Sequence, residues 1–353
     1  MKNRWLGMAF ALPLLVACNS ESSAIPVSSE TVSQRQIETI VSNINKLYPE
    51  ATPEQKLRAA KTVVRAIEEL VFVKGGSFDM GDFGAPCEPP SRTPNRMDWS
   101  PDVQCLSSPS SGETGAYNLH KVTLDSYSIA KFETRFIDTE WMRQITGLPV
   151  ARDLSKNGPH VGRDSKRYEV LITKRKNNAA ATKTWQEAKD YCQWLSDVST
   201  LPFDLPTEAQ WEYAARSRGE KVYFATNTGY RQMYNSHYFD PEMGRNVDYK
   251  ESEVNSSTDI ENVDSYPPNP LGIAGMSNQV SEWVNDWYSP TYYQNSPEHN
   301  PQGPDSGTEK VLRDARGMTM VFSRIHSLPT QERYFPSVSF RCALQQDSPL
   351  SLL

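Results

Sequence analysis

Across 353 residues, 37 Lys and Arg face 43 Asp and Glu, a formal net charge of −6 that gives nucleic acid no basic footprint to read. A mean hydropathy of −0.62 excludes a polytopic membrane protein. Eight Trp, 16 Tyr and 12 Phe beside 18 Gly and 25 Pro point to an irregular, loop-rich fold pinned by aromatic packing, long enough for one large domain or two.

The chain opens with Lys2 and Arg4, then an apolar stretch from Leu6 to Ala17 that is too short to span a bilayer and reads as a secretory signal over residues 1–17. It ends in Leu15-Val16-Ala17-Cys18, which resembles the lipobox of bacterial lipoproteins. The resemblance implies lipid on Cys18. Asn19 is not the Asp expected for inner-membrane retention, so the expected location is the outer membrane, facing the periplasm. Residues 18–30 are polar and Ser-rich and read as a flexible tether.

Ile37, Ile40, Val41, Ile44 and Leu47 recur at helical spacing, as do Leu57, Ala60, Val64 and Ile67 after Thr52-Pro53, so residues 31–70 are expected to form a helical hairpin packed on the main domain. Leu70 to Phe78 reads as a strand, a Gly-Gly turn and a second strand into Met80-Gly81. Residues 82–118 read as a long loop and Lys121 to Ile129 as one strand. A helix over Phe136 to Ile145 precedes a basic, polar loop from about 150 to 183, and Thr184 to Ser196 is a helix with Trp185, Ala188, Cys192 and Leu195 on one face.

Leu205 to Arg216, LPTEAQWEYAAR, is a short, capped, amphipathic helix. Pro206 suits its start, and Thr207 with Gln210 forms a capping box. Residues 217–265 read as loop and short strands, and Leu271 to Tyr288 as a turn and a Trp-rich segment. Val311 to Arg313 and Val338 to Leu344 read as strands, and residues 346–353 as a tail. If Cys18 carries lipid, Cys87, Cys105, Cys192 and Cys342 remain, an even count that suggests two disulfides in any of three pairings. No Cys-x-x-Cys occurs, which argues against a zinc ribbon or thioredoxin-like site.

These stretches in order resemble the formylglycine-generating enzyme (sulfatase-modifying factor) family. The matching pieces are Gly75 to Phe78 with Met80-Gly81, Val122 to Asp125 with Ile129 and Glu133, Ala188 with Cys192, Trp194 and Leu195, then the 205–216 helix. Asn269 with Leu271-Gly272, Met276 through Trp287, Arg313, and Phe340 to Ala343 complete the series. The resemblance implies an α+β, enlarged C-type-lectin-like domain over residues 71–345. It also implies a Cys192–Cys342 bridge, which leaves Cys87 for Cys105.

Members that oxidise a substrate cysteine hold copper with two cysteines late in the domain, and soft thiolates suit Cu(I). No Cys lies between Cys192 and Cys342; the stretch from Arg313 to Thr330 has Met318, Met320 and His326 instead, and Asp314-Ala315 stand where glycines are usual. Met fills core gaps more often than it binds metal, so neither copper nor iron is expected. His120, His160, His237, His299 and His326 are dispersed without ligand spacing. The family's calcium segment corresponds to Met276 through Trp283, with Asn278, Gln279, Val280 and Glu282 as the candidate oxygen ligands for a structural calcium.

The expected function is that of a catalytically degenerate binding protein. Its partner would be another protein, as in relatives that act in type VI secretion regulation or neutralise effectors; the alternative is a metal-dependent oxidase or maturation enzyme with altered ligands. Tyr230, Tyr234, Tyr238, Trp287, Tyr292 and Tyr293 are the candidate partner contacts, because aromatics are enriched at binding hot spots.

Overall fold

The computed structural model describes residues 25–86, 104–105, 114–150, 162–180, 182, 184–227, 229, 237–240, 245–248, 262–277, 280–314, 320–330 and 338–350. Two helices lead. α1 (Gln34–Leu47) is capped by Ser33, and α2 (Pro53–Glu68) starts from a capping box of Thr52 and Gln55 with Pro at its first turn. Both pack into the domain rather than apart from it: Gln36 and Asn43 donate to the carbonyls of Ser199 and Val198, and Ile37, Ile40 and Ile44 join a core shared with Tyr191, Leu195 and Val198.

β1 (Leu70–Val73) and β2 (Gly76–Met80) follow, then the short pair β3 (Ala85–Pro86) and β4 (Gln104–Cys105). β5 (His120–Leu124) and β6 (Tyr127–Ala130) divide the single strand expected over 121–129. The reason is a shared corner. β1 pairs with β6 and β2 with β5, so both chains bend together, at Lys74-Gly75 and at Asp125-Ser126, and pass from one sheet to another. Gly75 is therefore a kink and not the apex of a hairpin; a Cβ there would run into the Leu124 carbonyl.

α3 (Phe136–Ile145) appears where expected. Within the expected 150–183 loop, α4 (Lys166–Lys174) forms instead, capped by Ser165 and burying Tyr168 and Leu171 one turn apart. α5 (Trp185–Ser199), β7 (Phe203–Asp204) and α6 (Glu208–Ala215) come next, then the pair β8 (His237–Asp240) and β9 (Arg245–Asp248). β10 (Ser281–Trp287) is the Trp-rich segment, followed by a 3₁₀ turn at Tyr292–Gln294, β11 (Lys310–Arg313) and β12 (Arg324–Ser327). β13 (Val338–Phe340) and β14 (Ala343–Leu344) again split one expected strand, broken at Arg341-Cys342 as it changes sheet.

One four-stranded sheet runs β1-β6-β14-β7 and the other β12-β11-β10-β13, antiparallel except for β10 with β13. α6 lies against β2, β5, β10 and β11. Its residues are buried on every side, Glu208, Gln210 and Glu212 included. The expectation of one apolar face on α6 is thus corrected: its carboxylates point inward because arginines meet them there.

Candidate functional site

Pro206 and Thr207 start α6, with Thr207 Oγ1 accepting from the Gln210 amide at 3.1 Å and Gln210 Oε1 accepting from the Thr207 amide at 3.0 Å. Asn269 covers the far end, donating to the Ala214 carbonyl at 2.9 Å. Held at both ends, the helix aims Glu208 and Glu212 at β11 and β12. Arg313 of β11 bridges them, donating to Glu208 Oε1 and Glu212 Oε2 at 2.9 Å each. Arg324 of β12 grips both oxygens of Glu208, at 2.8 and 3.0 Å. Glu212 Oε1 takes the Gly81 amide at 3.0 Å and Arg216 at 2.8 Å.

A second junction joins β10 to the end of β13. Arg341 donates to both oxygens of Glu282 at 2.7 Å, and the Trp211 indole adds a bond to the same carboxylate at 3.1 Å. All these carboxylates are buried with their oxygens committed to donors, and none is poised to accept a proton from a substrate. Burial opposes the charge on Glu208, yet Arg324 and Arg313 together hold it below its ordinary pKa.

Two other carboxyls behave differently. Asp286 accepts the Glu208 amide at 2.7 Å at the start of α6, and burial beside Glu208 pushes it up to about 7. Glu133 is raised to about 7 by burial, with Arg341 opposing and Glu282 adding to the rise. Lys310 is brought down to about 8 by burial, Asp286 opposing, while its ammonium lies 3.9 Å from the ring centres of both Trp185 and Trp287. Arg324 and Asp286 were not singled out from the sequence: neither belongs to a periodic pattern, and only the sheet brings them to α6.

Cys192 and Cys342 form a disulfide with their Cα atoms 5.7 Å apart, tying α5 to the end of β13. Cys18 and Cys87 lie outside the described residues; the backbone of Cys105 pairs with Ala85, two positions before Cys87. Asn278 and Gln279 also lie outside them, and Val280 is buried beside Ala179 and Val263. Glu282 accepts three hydrogen bonds, two from Arg341 and one from Trp211, as the centre of the second junction.

Met318 lies outside the described residues, whereas Met320 is buried in the core around α6. His326, part exposed on β12, pairs with Glu309 at 3.0 Å and stacks on Tyr288. Among the described residues no group of three or more His, Cys, Asp or Glu is placed to hold a metal. The stretch from Arg313 to Thr330 contains no cysteine, so its donor set is not that of a thiolate copper centre.

The aromatic candidates divide in the same way. Tyr230 and Tyr234 lie outside the described residues, and Tyr238 stands on β8 opposite Val247. Trp287 and Tyr292 are half-buried. Tyr293 is only 2% exposed, with the Arg324 guanidinium 4.1 Å from its ring centre, so it is a core residue and not a partner contact.

A family model described as a sulfatase-modifying factor enzyme 1-like domain matches residues 55–344, from α2 to the end of β14. The formylglycine-generating enzyme of Streptomyces coelicolor is 31% identical over 144 residues, 40% of this chain and 43% of that protein. A serine/threonine-protein kinase, pkn1 of Chlamydia pneumoniae, is 32% identical over 133 residues, 37% of this chain but 17% of the kinase. The matched stretches thus span less than half of these relatives. The structure of PvdO from Pseudomonas aeruginosa shares the fold at a TM-score of 0.51 and 18% identity, over 78% of this chain and 94% of that one. The match over residues 55–344, with the shared fold beside it, places the chain in the sulfatase-modifying factor enzyme 1-like family.

Proposed function

We propose that this chain is a lipid-anchored protein of the bacterial envelope, facing the periplasm, whose domain binds a protein partner and does not oxidise a thiol. The observation that carries the reading is the segment from Arg313 to Thr330. It contains no cysteine, its Met320 is spent on the core, and its Arg313 and Arg324 lock Glu208 and Glu212 in place. A buried, donor-saturated junction holds elements together, and the segment brings no thiolate to it. The partner class, a secreted effector or an envelope regulatory component, is carried over by analogy with family relatives. The match to a small part of a kinase chain supports the idea that this domain serves as a module in proteins of differing chemistry.

The test is metal content and oxygen uptake of the chain purified from the envelope. The expected result is copper and iron far below one per chain and no oxygen uptake with a cysteine peptide. One copper or iron per chain, with thiol-dependent oxygen consumption, overturns the reading.

A further inference from the structure

The negative charge of the chain is not evenly spread. Residues 163–176 contain Arg163, Lys166, Arg167, Lys174, Arg175 and Lys176 against Asp164 and Glu169, a local excess of cations in a chain of net charge −6. α4 carries three of the six and turns Tyr168 and Leu171 inward. Lys166, Val170 and Lys174, spaced four apart, stand exposed on the opposite face with Arg167 beside them, and Glu169 lies on the far flank. Val170 is 43% exposed, and so nearly is Leu148 at 42%, whose carbonyl accepts from Arg163 at 2.9 Å. Exposed aliphatics framed by lysines suit a bilayer interface, which takes up apolar groups and cations together, better than they suit a purely acidic partner.

The path of the chain supports the same occupant. Ile25 and Pro26 line a shallow groove with Ala51, Pro53 and Leu57 at the start of α2. The next residue, Arg58, donates to Gln144 at 3.3 Å, and Gln144 donates to the Tyr168 hydroxyl of α4 at 2.6 Å. The basic helix is thus two side chains away from the neighbourhood of Ile25. Cys18 is seven residues before Ile25, a span of at most roughly 25 Å when extended.

We propose that the basic face of α4 lies on anionic lipid headgroups beside the anchor and sets which side of the domain faces the periplasm. This rests on the lipid-anchored reading above. Each lysine close to an anionic surface strengthens attraction about five-fold, so Lys166 and Lys174 acting together orient the domain.

The test uses the chain purified from the envelope, with intact mass reporting lipid on Cys18. The chain is placed on bilayers of phosphatidylglycerol with phosphatidylcholine, or of phosphatidylcholine alone, and lysine acylation is followed by mass spectrometry. Lys166 and Lys174 are expected to react about five-fold more slowly on the anionic bilayer, the difference vanishing near ~0.5 M salt, with Lys121 on β5 as the unchanged control. Equal rates on the two bilayers overturn the proposal. Protection by polyglutamate but not by the anionic bilayer also overturns it, in favour of an acidic protein.

If the mass shows no lipid, the anchoring reading fails by itself, and flotation of the unlipidated chain with phosphatidylglycerol vesicles decides the surface. Flotation that drops at least about ten-fold in the Lys166→Glu/Lys174→Glu variant upholds the basic face. No flotation of the parent chain refutes it.

Discussion

Glu133 shows how a single buried carboxyl can set a pH response. Arg341 lies 3.7 Å away, but its five N–H groups are all spent: on both oxygens of Glu282 and on the carbonyls of Ala130, Lys131 and Ala274. Both oxygens of Glu133 are buried without a hydrogen bond, pressed against the backbone of Gly275, whose φ of +82° admits no ordinary side chain. The neutral form is the cheaper one there, which is why burial lifts the group to about 7. A folded pKa above the unfolded value gives stability that is complete below about 4.3 and is lost as pH rises through about 7. Asp286 acts in the same window, and Glu208, held low by its arginines, acts in the opposite sense at acid pH. Glu133→Gln should therefore be more stable than the parent at pH 8, by on the order of 1–3 kcal/mol, with the gap closing toward pH 5. Urea unfolding at the two pH values measures it, and a gap of equal size at both would rule the account out.

At the scale of elements, α6 separates what local sequence specifies from what the fold adds. Its start was legible because Pro206, Thr207 and Gln210 satisfy backbone groups within one turn, and the structure keeps that box. Its surroundings were not legible, since Arg313, Arg324 and Asp286 approach through sheet pairing that no nearby residue encodes. The same limit explains the corner at Gly75 and Asp125, where one run of alternating residues serves two sheets. It also explains α4, whose charges masked a capped turn at Ser165 with Tyr168 and Leu171 behind it. The Cys192–Cys342 bridge was readable because the resemblance marks both of its positions, one on a helix and one just after Phe340-Arg341. Two substitutions rank the local and tertiary terms. Thr207→Ala removes a cap and should cost about 1 kcal/mol. Arg313→Met takes one charged donor from each of two buried carboxylates, leaving Glu208 to Arg324 and Glu212 to Arg216, and should cost roughly 3–5 kcal/mol. Thermal unfolding of both variants gives the order, and a costlier Thr207→Ala would mean that the helix is held by its cap and not by the arginines.

At the scale of the whole molecule, a covalent link fastens α5 to the point where the chain passes from one sheet to the other. Cys192 and Cys342 both belong to the core cluster that α5 shares with α1 and α2, and Cys342 lies between β13 and β14, which sit in different sheets. The bridge spans 150 positions of sequence, and a loop of that length loses much unfolded-state freedom when closed, about 5 kcal/mol in the chain-entropy model and ~2–4 kcal/mol in typical measurements. Such a bond forms and persists in an oxidising compartment and is rarely kept in the cytosol, so it couples stability to location. If the proposed periplasmic location holds, the chain recovered from the envelope should leave Cys192 and Cys342 unreactive to alkylation under denaturing conditions until a reductant is added. The same chain made without its first 17 residues in a reducing cytosol should alkylate at both positions and unfold more easily by roughly 2–4 kcal/mol. The Cys192→Ala/Cys342→Ala variant should match that cytosolic form and respond no further to reductant. Both thiols reactive in the envelope chain would break the link between the periplasmic reading and the bridge, because a pair 5.7 Å apart at Cα has no geometric reason to stay reduced there.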